Sequence, residues 1–173
     1  MEGLPDYLAD GMKILFIGYN PGIRSAELGH HYAGKGNVFF PMLVRSGLVA
    51  KDVTPQEDCK LLSRYGYGFT NLVPRPTRGI KDLNSEDYRK GRNVLREKLL
   101  RFRPQIAAYV GIGVYQHFTG RAKAGHGLQT PSFIEGVLDF VLPSTSGLNA
   151  IPLTEKERWF KELEIIIKAT DNN

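Results

Sequence analysis

Four strand-like stretches recur along the chain with helical spacing between them: the continuous apolar run KILFI at 13–17, GFTNLV at 68–73, QIAAYVG at 105–111, and the second half of SFIEGVLDFVLPS at 132–144. A strand with one wet face alternates apolar and polar residues, whereas a continuous apolar run belongs to a strand covered on both faces. Strands separated by helices pair in parallel, with the helices packed above and below the sheet. The fold class that follows is α/β: a three-layer α/β/α sandwich around a central, mainly parallel sheet.

The segments between the strands fill in this frame. Residues 18–37 are rich in glycine and fit no regular element, a long loop for a small domain and therefore a candidate binding loop. Phe39, Phe40, Leu43 and Val44 give helical spacing, with Gly47 as the stop. TPQE at 54–57 reads as an N-cap followed by proline and a capping glutamate, opening a helix to about Tyr65. Asn84 or Ser85 can cap a long helix to Phe102 with Val94, Leu95, Leu99 and Phe102 as its apolar stripe, ended by Pro104. VYQHF follows the third strand as a short helix. The 132–144 stretch is expected to hold an edge strand, a turn at Glu135-Gly136 and the fourth main strand. TEKE at 154–157 reads as a second capping box, starting a helix that buries Trp159, Phe160, Leu163, Ile166 and Ile167. No repeat, linker or low-complexity tract interrupts the chain.

Ligands of such sheets bind beyond the carboxyl ends of the strands. The loops leaving those ends here are 18–37, 71–81 and 143–152, so an active site should be assembled from them.

Composition narrows the chemistry. The 173 residues suit one domain spanning 1–173. Cys59 is the only cysteine, which excludes internal disulfides, cysteine-ligated iron–sulfur clusters and Cys-rich zinc sites. The four histidines show no ligand spacing, so no metal is expected. No apolar run reaches the roughly 18 residues of a membrane span. The acidic start, MEGLPDYLADGMK, lacks an apolar signal core, giving the expectation of a cytoplasmic protein, in a prokaryotic cytosol or nucleoid. The formal charge of +5 allows nucleic acid as a partner. Between Arg75 and Arg103 ten Lys/Arg face four acids, a local +6. Of these, Arg75, Arg78 and Lys81 stand at an active-site loop and are the ones expected to touch phosphates.

GYNPG at 18–22 followed by GHHYAGKGNVFF, then GFTNLVPRPTRGIKDL, then LPSTSGLN resemble the successive motifs of the thymine-DNA glycosylase and mismatch-specific uracil-DNA glycosylase family. The matches fall in order from residue 14 to about 150. The resemblance implies a uracil-DNA glycosylase-like fold and hydrolysis of the N-glycosidic bond of uracil opposite guanine, with thymine or damaged pyrimidines as further candidates. It implies double-stranded DNA bearing G·U or G·T mismatches as substrate and an abasic product. With no metal-ligand spacing the hydrolysis should need no cofactor, and single-site action on duplex DNA needs only a monomer, though the oligomeric state stays open.

By the resemblance Asn20 is the catalytic residue. An asparagine has no proton that titrates near neutral pH, so it cannot be a general base, but it can hold a water by hydrogen bonding. Stabilisation of a cationic sugar must then come mostly from elsewhere, and the departing base must be a tolerable anion, as uracil is. The target base must leave the helix and find a stacking partner and edge contacts. Tyr32 matches the family's stacking position. Gly18, Tyr19, His31, Asn37, Asn71 and Thr77 match positions around the base pocket, and Ser25 stands where its size is set. Ser144, Thr145, Ser146, Gly147 and Asn149 form a loop suited to pinching phosphates, with Leu148 as the wedge. That loop departs from the family: Ser144-Thr145 replaces the bacterial branch's Asn-Pro, and Gly147-Leu148 stands where the vertebrate branch carries Ala-Arg. No lysine occupies the Asn20 position to form a Schiff base, so an uncut abasic site is the expected product. Two other readings fit less of the chain: a non-catalytic mismatch or abasic-site binding module, and an enzyme acting on free nucleosides, which would need neither wedge nor basic loop.

Overall fold

The computed structural model describes residues 1–173. Its elements run β1 (Ile14–Gly18), α1 (Ile23–Leu28), α2 (Phe39–Ser46), a 3₁₀ turn (Pro55–Lys60) leading into α3 (Leu61–Tyr65), β2 (Tyr67–Asn71), α4 (Ser85–Phe102), β3 (Ile106–Val110), α5 (Ile112–Thr119), β4 (Gly127–Gln129), β5 (Leu138–Leu142) and α6 (Leu153–Asp171). The strands form one sheet in the order β2-β1-β3-β5-β4. The first four are parallel, and only β4 runs antiparallel, on β5.

The sandwich follows from strand alternation. Ile14 and Phe16 of β1, with Ile106 and Ala108 of β3, face a core completed by α2, α3 and α6. Leu15, Ile17, Ala107 and Tyr109 face the opposite core, completed by α4 and α5. All eight of these strand side chains are fully buried. Phe16 meets Phe39 of α2 edge-on at 5.1 Å, and truncating either buried ring to alanine would cost about 3–5 kcal/mol. No helix is long and apolar enough to cross a membrane.

Several local expectations shift. The 18–37 segment contains a short helix, α1, which starts directly after its N-cap Gly22. The edge strand lies at 127–129, not within 132–144, where Ile134–Gly136 only turn the chain into β5. On α4 Leu95 and Leu99 are buried and Phe102 packs partly buried beside them, as expected, but Val94 is exposed and Gly91 takes its place on the buried face. Thr154 is not a cap: α6 begins at Leu153 behind Pro152, which fixes the entering backbone without a side-chain cap. The Thr54 box does form, with Glu57 Oε2 accepting from the Thr54 N–H at 3.2 Å, but it opens a 3₁₀ turn before α3. Asn84 rather than Ser85 caps α4, accepting from Asp87 N.

Candidate active site

Parallel pairing of β1 and β2 continues beyond both strands. Leu72 N donates to Gly18 O, Val73 N to Tyr19 O, each at 2.8 Å, and Thr77 N to Pro21 O at 3.1 Å. The 71–77 loop is therefore laid along the GYNPG turn. Asn20 Nδ2 donates to Arg75 O at 2.9 Å and to Thr77 Oγ1 at 2.7 Å. A backbone carbonyl can only accept, so the amide cannot be the other way round. The hydroxyl of Thr77, which is buried, donates in turn to Gly79 O at 2.9 Å. The result is an asparagine whose nitrogen is clamped and whose oxygen is left to accept from something outside the protein.

The second convergence is around Gly18, paired with Asn71 at the ends of β1 and β2. A methyl group at Gly18 would lie 2.6 Å from Asn71 Oδ1 and 3.2 Å from the Tyr32 hydroxyl. Only glycine lets these two side chains crowd the strand end. Tyr32 stacks on Phe39 with ring centroids 4.0 Å apart and planes 15° apart. Its φ of 54° is in the left-handed region, an uncommon place for an aromatic residue that costs about 1–2 kcal/mol. Bonds on either side hold it there: Asp58 Oδ2 accepts from His31 N at 2.8 Å, and Ser25 Oγ accepts from Ala33 N at 3.0 Å. Burial pushes the Tyr32 phenol far above its ordinary value, so it stays protonated.

The 143–149 loop closes the site from the β5 side. Thr145 is buried and its carbonyl accepts from Val38 N at 3.0 Å, while Gly147 lies against Gly36. Ser144 Oγ accepts from Ser146 N and Ser146 Oγ from Leu148 N, each at 3.3 Å, and Asn149 Oδ1 accepts from Ile151 N at 3.0 Å. These turns hold up Leu148, which is 98% exposed. Apolar side chains shed exposed area at about 25 cal/mol per Å², so the loop presents its leucine against the hydrophobic effect.

Other expected pocket residues take different posts. His31 is buried between Tyr7, edge-on at 5.7 Å, and Phe69, stacked at 5.4 Å. Its Nε2–H donates to Pro5 O at 2.8 Å, and burial lowers its pKa, so it is a neutral post for the N-terminal segment. Tyr19 turns to the opposite face of the sheet from Tyr32, over Gly113, where a methyl group would lie 1.5 Å from its hydroxyl oxygen. There it meets His117 edge-on at 6.0 Å, and burial pushes its pKa up to about 12. Asn37 Oδ1 accepts from Phe39 N at 2.9 Å, supporting the start of α2. Arg75 gives its guanidinium to Asp87, at 2.6 and 3.1 Å, and to Asp82 O, so it braces the loop whose carbonyl holds Asn20. Arg78 and Lys81 are exposed and make no ion pair.

Asp58 and Asp87 are the supports that sequence reading misses. Asp58, fully buried, also accepts from Cys59 N at 2.7 Å and pairs with His30 Nδ1 at 3.0 Å. No group of three or more His, Cys, Asp or Glu side chains is placed so that it could hold a metal ion. The arrangement can hold a neutral nucleophile at Asn20 and read a planar polar ligand beside Asn71, and it offers no titrating base.

The sequence profile described as the uracil DNA glycosylase superfamily matches residues 5–166. The fold is similar to the solution NMR structure of a candidate uracil DNA glycosylase from Methanosarcina acetivorans. The TM-score is 0.62 at 19% identity, over 94% of this chain and 97% of that one.

Proposed function

The chain belongs to the uracil-DNA glycosylase superfamily, and from that premise we propose that it is a monofunctional glycosylase that excises uracil opposite guanine from duplex DNA. The observation that carries the reading is the clamp on Asn20. With Nδ2 committed to Arg75 O and Thr77 Oγ1, Oδ1 is available to accept from a water and aim it at the sugar carbon of a flipped nucleotide. A water held by an amide is a weak nucleophile, so the bond must already be breaking when it attacks. That demands a base able to leave as an anion, which favours uracil, with thymine and damaged pyrimidines behind it.

The remaining residues fit around this step. Tyr32 and Asn71 flank the strand ends where the base would enter, and Leu148 fills the gap left in the stack. Arg78 and Lys81 face the backbone as unpaired cations. Asn20 cannot form a Schiff base, so the product is an intact strand with an abasic site, made without a cofactor by a monomer.

The test is excision from labelled duplexes carrying G·U, G·T and A·U, beside single-stranded uracil, each analysed with and without alkali. Cleavage at G·U that appears only after alkali supports the reading. Cleavage without alkali contradicts the monofunctional step, and duplex binding with no excision replaces the enzyme by a damage-recognition module.

A further inference from the structure

The Tyr32 hydroxyl is the one buried side-chain nitrogen or oxygen without a hydrogen-bond partner. An orphaned hydroxyl of this kind costs about 1–3 kcal/mol, so its retention calls for a use. A stacking aromatic needs no hydroxyl, and phenylalanine would pack on Phe39 equally well. The oxygen points at the space left by the missing side chain of Gly18, and Asn71 Oδ1 points at the same space from β2. Oδ1 is an acceptor and the phenol, kept protonated by burial, is a donor. Being enclosed, the hydroxyl cannot itself touch a ligand. Asn71 is only half-buried, so its amide can.

We propose that the Tyr32 hydroxyl is a positioning group for Asn71: it donates to Oδ1 when the site closes, so that the Asn71 NH₂ faces the flipped base. A carboxamide has two nearly isosteric orientations, one presenting a donor and the other an acceptor. Held with its oxygen inward, Asn71 offers a donor, which pairs with a ring carbonyl and opposes an exocyclic amino group. The hydroxyl thus selects uracil-like over cytosine-like edges without contacting either. Catalytic hydrogen bonds are commonly loose before substrate binds, so the gap in the free protein agrees with this role. The inference rests on the glycosylase reading and deepens it.

The test compares single-turnover excision of 5-fluorouracil and 5-fluorocytosine opposite guanine. The shared fluorine makes both bases better leaving groups and leaves the edge as the difference, 4-oxo with N3–H in one and 4-amino with a bare N3 in the other. Tyr32→Phe is expected to slow 5-fluorouracil excision about tenfold and to narrow the preference over 5-fluorocytosine, with unchanged abasic-duplex affinity and a melting temperature no lower than that of the wild type, since the unsatisfied hydroxyl is removed. In an Asn71→Ala background the same change is expected to do nothing further, because its effect passes through Asn71. An unchanged preference in Tyr32→Phe overturns the inference, as does a full additional loss in the Asn71→Ala background. In either case a wild-type protein that still excises 5-fluorouracil leaves the glycosylase reading standing. A wild-type protein inactive on both bases overturns the two together.

Discussion

At Gly18 the space for a single methyl group separates an open strand end from a blocked one. Alanine there would drive Asn71 Oδ1 from 2.6 Å to van der Waals distance and press on Tyr32. Gly18→Ala is therefore expected to cut uracil excision at least tenfold by displacing Asn71 while leaving the secondary structure, followed by circular dichroism, intact. Equal activity would mean that Asn71 is not used. The Arg75–Asp87 pair acts one step further out. The Arg75 hydrogen bonds, then the Asn84 N–H, hold the Asp87 carboxyl below the ordinary carboxylate range. A depressed carboxylate contributes its stability above its unfolded pKa and loses it as pH falls through the folded value. The pair is intact across the neutral range, and Asn20 does not titrate. The excision rate should therefore be flat from about pH 6 to 8 as far as these groups govern it. Asp87→Asn should lower the rate equally at every pH in that span. A slope confined to the variant would contradict this.

The elements themselves were largely legible. Apolar runs placed β1, β2, β3 and β5, and Gly47 marked the end of α2, because strong periodicity and turn chemistry are local properties. The edge strand β4 was not, since Gly127–Gln129 is three residues long and pairs only through β5. Asn20, Thr77 and the 71–77 loop could be named from motifs, but their mutual clamp depends on the pairing of β1 with β2 and on bonds between residues 55 and 57 positions apart. His31 misled because a motif position tells nothing of side-chain direction, and burial against Phe69 decided it. Leu148 is the element-scale prediction. Its loop is held by its own serine and asparagine turns, so Leu148→Ala should leave the fold untouched. Excision from duplex DNA should fall about tenfold or more, with single-stranded uracil unaffected, because only the duplex leaves a gap to fill. Equal losses on both substrates would assign Leu148 another role.

Across the whole molecule the net charge of +5 is spread unevenly, but much of the basic 75–103 stretch is already engaged. Arg75 pairs with Asp87, Arg89 and Lys90 with Glu86, and Lys98 with Asp6. Formal charge along that stretch therefore overstates what DNA can meet, and Arg78 and Lys81 stand out as free cations beside the site. Each phosphate contact contributes about 0.9 to the slope of log affinity against log salt, so Arg78→Ala and Lys81→Ala should each reduce that slope by about one. Arg75→Ala should leave the slope unchanged and lower excision through the loop. The most direct measurement is single-turnover excision of uracil from a G·U duplex by wild type and Asn20→Ala, with abasic-duplex affinity measured alongside. The account predicts at least about a hundredfold slower excision in the variant at undiminished affinity, because only the held water is lost. Excision by Asn20→Ala at the wild-type rate would contradict it, and return Asn20 to the status of a turn residue clamped by its neighbours.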